Sequence, residues 1–360
     1  MVWFGIFMSA VFGAGEGVYS IPVDRPLEHL FRQYERAQVL AIAETDHRAV
    51  GAWQLLDAFL RSQRIRNDRR LRFLVVERSI ESADFYRELG FRGLTRAQAA
   101  QVLPADYGSA RYYMCDDFPS TPFVLTHVTE AVRRINQLRQ SGADPLEIVA
   151  IDSLGMASEE RWGRDPIYRS VSGGCRSEFP ARFAFSHNRE QETARAFQEN
   201  VLSRLKPDEK AIILYHATHL FRTGEICRPS HRGAGVWEER VGPISWFALA
   251  LPQIEGQVRS VIVDQQIQAV QNQREDSPLL SLFNRNVRSY RFAVDFHRAD
   301  IPDTLRMLRL SQFPKIISSV QNPDVLSYGQ EFDGLIWWGD ASGTWSAPDE
   351  LMNEWCSLEY

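Results

Sequence analysis

The chain has 360 residues, 44% of them hydrophobic and 24% charged. That is the composition of a folded globular protein, which sets aside collagen, coiled coil and a chain with no core. The 41 Lys and Arg against 46 Asp and Glu give a net charge of −5. Phosphate contacts need a concentrated basic surface, so no nucleic-acid partner is expected.

Residues 2–15 form an almost uncharged apolar run, VWFGIFMSAVFGAG. A spanning helix needs roughly 20 such residues, so no stable membrane span is expected. The run has the length of a signal-peptide core and ends in small residues, although the first Arg or Lys is Arg25. The competing reading is an N-terminal strand. Residues 1–22 are therefore expected to be a signal peptide or N-terminal extension, with a secreted or periplasmic location if it is cleaved and a cytoplasmic one if not. Cys115, Cys175, Cys227 and Cys356 form no CxxC pair. Zinc-knuckle spacing is thus absent, and in an oxidising compartment three disulfide pairings stay open.

In chain order, residues 39–43 (VLAIA) read as a strand, and residues 48–64 as an amphipathic helix with Val50, Trp53, Leu56 and Leu60 at helical spacing. Residues 71–76 read as a second strand. A helix over 80–89 is expected to close at Gly90. A helix follows over 126–140, a strand over 147–151, a helix over 188–205 and a strand over 210–215. Later strands are expected at 258–263, 290–294 and 335–338. Strands alternating with helices predict an α/β fold, a mostly parallel sheet with helices on both faces, in a single domain over 23–360. The irregular stretches near 105–122 and 156–180 read as insertions, of the kind that supplies lids and binding loops.

Ligands of an open parallel sheet bind beyond the carboxyl ends of its strands. The first strand is followed by Glu44-Thr45-Asp46-His47, the second by Glu77-Arg78-Ser79, the next by Asp152-Ser153, and the next by His216-Ala217-Thr218-His219. Burying carboxylates without partners is costly, so their recurrence at strand ends points to chemistry rather than to core. Glu44, His47, Glu77, His216 and His219 can hold a divalent metal through imidazole and carboxylate. They can also work without one: a His takes a proton from water, a carboxylate orients it, and a second His stabilises the oxyanion. Arg78 can clamp an anionic substrate group or neutralise Glu44 and Glu77. No GxSxG elbow, Walker loop or GxGxxG is present, which disfavours a serine hydrolase of the α/β-hydrolase type and nucleotide binding.

The blocks VLAIAETDH, FLVVERS, IVAIDSLG, AIILYHATHL and FDGLIWW together resemble the erythromycin esterase-like branch of the Tiki and ChaN superfamily. That family carries Gly-Glu-x-x-His after its first strand, Glu after the second, Asp after a middle strand and His-Asn-x-His after a later one. The resemblance implies a parallel-sheet core and hydrolysis of an ester or amide, a lactone included, in a small-molecule or peptide substrate. It implies His47 as general base, Glu44 and Glu77 as essential carboxylates, His216 and His219 as the later pair, and Asp152 in support. Haem- or metal-binding relatives imply a non-catalytic alternative in the same cleft, and a degenerate interaction domain is a third reading. The chain departs from the signature at Ala43, Arg48 and Ala217.

Overall fold

The computed structural model describes residues 8–14, 17–45, 50–80, 83–92, 127–139, 144–153, 180–223, 225–232, 235–243, 245–254, 256–266, 291–301, 303–307 and 327–340. Its centre is a seven-stranded sheet. The strands are β3 (Val39–Glu44), β4 (Leu71–Ser79), β5 (Glu147–Asp152), β6 (Lys210–His216), β9 (Val258–Gln266), β10 (Phe292–Asp295) and β11 (Gly334–Asp340). They lie side by side in the order β10-β11-β9-β3-β6-β4-β5. All neighbours are parallel except β10 and β11. The predicted α/β class and the covered parallel sheet are therefore observed.

The strands are apolar throughout because both faces are covered. Along β3 the alternation is clean. Val39, Ala41 and Ala43 point into one core, and Leu40 and Ile42 into the other. The second core is closed by α1 (Pro26–Arg36), α2 (Gly51–Arg61), α4 (Ala83–Arg92) and α5 (Thr129–Leu138), with the short α3 (Gln63–Arg66) extending α2. The first is closed by α6 (Pro180–Asn200) and α7 (Trp246–Ile254). Trp53, Phe59, Phe197 and Trp246 are fully buried in these layers. Each such side chain contributes about 1.5–3 kcal/mol of apolar burial.

Several elements differ from expectation. Gly90 does not end α4, which continues to Arg92. A Cβ there would lie 3.2 Å from Val132 Cγ1, so the glycine permits close packing of α4 on α5. The helix expected over 188–205 starts earlier and ends at Asn200, followed by a 3-10 turn over Leu202–Arg204. Helix α1 escapes the sequence reading, although Pro at its first turn is a standard start signal. Its carbonyl end is capped from outside, by Lys210 Nζ donating to Tyr34 O (2.8 Å), Glu35 O (3.3 Å) and Ala37 O.

Residues 8–14 of the apolar N-terminal run form β1 (Met8–Ala14), which pairs antiparallel with β2 (Gly17–Val23). A second antiparallel pair is formed by β7 (Glu225–Arg232) and β8 (Gly235–Pro243). The predicted insertions at 105–122 and, up to residue 179, 156–180 lie outside the described residues. No described helix is long and apolar enough to cross a membrane.

Candidate active site

Beyond β3 and β4 the chain leaves into α2 and α4 on one face of the sheet. The next helices after β5 and β6 among the described residues, α6 and α7, pack on the other. Strand β6 sits between β3 and β4. Its tip is thus flanked on both sides by strands whose following helices pack on the opposite face, which is the geometry that opens a crevice in such sheets. Glu44 and His216 are direct register partners at this tip.

Glu44 continues the Leu40–Ile42 parity and faces α2. There the Trp53 indole Nε1–H donates to Glu44 Oε2 at 2.8 Å. The Arg78 guanidinium lies 5.4 Å above the same indole ring. Arg78 Nη1 also donates to the Glu77 carbonyl at 2.5 Å. Glu77 and Arg78 sit where β4 slips register between Val76 and Ser79. Such a bulge re-aims side chains at a strand end.

Glu77 continues the Phe73–Val75 parity and faces α6. Its Oε2 accepts the His216 backbone N–H at 2.7 Å. Its Oε1 accepts from Arg189 Nη2 at 3.2 Å. Arg189, in α6, also grips Asp152 through Nε at 2.7 Å and through Nη2 at 2.5 Å. One guanidinium therefore joins the tips of β4 and β5. Ser153 fixes α6 at that distance by donating its hydroxyl to Arg189 O at 2.9 Å. Glu77 and Asp152 are at most 2% exposed, so this charge pairing makes their burial tolerable.

His219 stands on the 3-10 turn Ala217–His219 that follows β6. Its Nδ1 is 2.5 Å from Glu190 Oε1, and its Nε2 is 3.6 Å from Glu77 Oε1. The Tyr215 ring meets it edge-on at 5.5 Å. Burial first, and then the charges of Asp152 and Glu77, push the Tyr215 hydroxyl well above the ordinary phenol value. That hydroxyl has no hydrogen-bond partner among the described residues. His216 Nδ1 is engaged with the Thr218 hydroxyl at 2.9 Å. The two imidazole rings are 6.2 Å apart.

Of the residues singled out from sequence, Glu77 meets the His216 backbone and the His219 ring and shares Arg189 with Asp152, while Glu44 and Arg78 meet Trp53. His47 lies outside the described residues. Among the described residues no three His, Cys, Asp or Glu side chains converge to hold a metal ion. The sequence reading missed Arg189 and Glu190, which lie inside a helix with no strand end to mark them. It also missed Asp264, buried near the end of β9 and hydrogen-bonded by the Thr45 hydroxyl at 3.3 Å. The strand-end rule that found Asp152 would have found it.

No family model matches the chain, and no curated protein matches it. Three solved structures are similar in fold. One is an erythromycin esterase, EreC, as a mutant in its open conformation: 12% identical, covering 88% of this chain and 96% of that one, TM-score 0.45. One is a protein from Bacillus cereus: 12% identical, 87% and 91% covered, TM-score 0.43. One is a succinoglycan biosynthesis protein: 10% identical, 87% and 90% covered, TM-score 0.48. At such identities and scores the likeness assigns neither site nor activity to this chain.

Proposed function

We propose that this chain hydrolyses an ester or amide bond, a lactone included, with water activated at the carboxyl edge of the sheet. The observation that carries the reading is Glu77. It is a buried carboxylate at the crevice, tied to the β6 tip through the His216 N–H and held between Arg189 and His219. His47 follows Glu44 by three residues and takes the proton from water. The water oxygen then adds to the substrate carbonyl carbon. The His216 imidazole stabilises the oxyanion, and His219 does so through Nε2 when its ring is the imidazolium. Its collapse breaks the C–O or C–N bond, and the leaving group takes the proton from His47. Glu44, held by Trp53, and Glu77, held by Arg189, orient these groups. General base catalysis contributes about 10²–10⁴-fold, and an oxyanion donor about 10²–10³-fold.

A panel of aryl esters, lactones and amides tests this. His47→Ala and Glu77→Gln are each expected to lower kcat/KM at least about a hundredfold with the circular dichroism unchanged. Unchanged turnover in both variants would show the assignment to be wrong. Metal content of the chain purified without chelator, beside Glu44→Gln and His216→Ala, separates the two mechanisms. Stoichiometric metal lost in those variants means a metal-held water; no metal in any sample means the water is activated by His and carboxylate alone.

A further inference from the structure

We propose that Glu190 is a positioning residue for His219, fixing the imidazole so that Nε2 is the nitrogen presented to Glu77 at the β6 tip. The hydrolase reading enters only in what the oriented ring then does; the orientation stands on geometry. Glu190 lies inside α6 and is 1% exposed. One of its oxygens is 2.5 Å from His219 Nδ1. The other accepts the backbone N–H of Trp246, the first residue of α7, at 2.6 Å. An ionised carboxylate only accepts, so the Nδ1 contact places a proton on Nδ1. A neutral ring then carries its lone pair on Nε2. The Tyr215 ring packs against His219 at 80°, and Trp246 packs against Tyr215 at 5.4 Å. The ring is thereby confined with Nε2 3.6 Å from Glu77 Oε1, just beyond direct hydrogen-bond reach. The arrangement is that of a carboxylate setting which nitrogen of a functional histidine does the work.

The bland alternative is that Glu190 serves only to cap α7 through Trp246. Glu190→Gln separates the two roles. The glutamine oxygen can keep the Trp246 N–H, while its amide offers donors, not an acceptor, to Nδ1. The experiment is nitrogen NMR of the full chain labelled at histidine, with His219 assigned by loss of its signals in His219→Asn, recorded above the imidazole titration. The expected result is a protonated Nδ1 in the wild type, needing no variant, and transfer of that proton to Nε2 in Glu190→Gln. An unprotonated Nδ1 in the wild type, or ring signals unmoved by Glu190→Gln in a folded protein, would overturn the proposal. If an ester substrate is found, Glu190→Gln is expected to lower kcat about tenfold or more with KM within about twofold, and to have no further effect on His219→Asn. If none is found, the ring signals still decide, so failure of the hydrolase reading and failure of this one are told apart.

Discussion

Trp53 anchors the Glu44 half of the site. Its indole N–H donates to Glu44 while its ring carries Arg78. Trp53→Phe keeps most of the apolar volume and removes that donor from a buried carboxylate. Withdrawing one partner from a buried polar group costs about 1–3 kcal/mol, and urea unfolding should register a loss of that size. If the proposed hydrolysis holds, turnover should fall with it, because Glu44 loses a donor that orients it. Glu44, Glu77, Asp152, His216 and His219 stood out because each closes or follows an apolar strand, where a parallel sheet opens its crevice. Arg189, Glu190 and Trp53 were not. On a helix, a buried charge and a solvated one look alike until the neighbour is known. Asp152 and Arg189 are 37 residues apart in the chain.

Elements meet through a few specific contacts, and two of them can be tested. Gly90 allows α4 to approach Val132 and Ile148. A bulky side chain there overpacks the contact, so Gly90→Leu should destabilise by about 1–3 kcal/mol in denaturant titration. The helix itself was legible from spacing; the role of its glycine was not, because a packing glycine and a terminating one are the same letter. Asp333, just before β11, gathers the Arg222 and Arg259 guanidiniums, the His297 ring and the Ser260 N–H. Burial pushes its carboxyl up, but Arg222 first, with His297 and the Ser260 N–H, holds it below the ordinary value of 3.8. The unfolded chain therefore takes up this proton at a higher pH than the folded one. Stability from Asp333 is present above about pH 4 and is lost as pH falls through the lower folded value. Asp333→Asn should lower stability at neutral pH and flatten its decline below pH 4, as read by thermal unfolding across that range.

At the scale of the whole molecule, strand positions along the chain were legible and their order across the sheet was not. Each strand announces itself by an apolar run, whereas neighbour choice is made by pairings far apart in sequence. Strand β3 pairs with β6 at Val39–Ala211 and with β9 at Val39–Val258. Such distant pairing predicts slow refolding, on the millisecond-to-second scale or longer, measurable by stopped-flow fluorescence of the buried tryptophans.

The late arrival of β6 between β3 and β4 also bears on how the protein is born. A nascent chain that has emerged as far as residue 205 carries Glu44 and Glu77 on strands that are not neighbours of each other in the finished sheet. Every element ahead of β6 must wait beside an apolar slot that only Lys210–His216 can fill. Emergence of β6 therefore brings the Glu44 and Glu77 halves of the candidate site together. Until then the emerging chain offers β3 bare on both flanks, and β4 bare on one, to whatever chaperone meets it first.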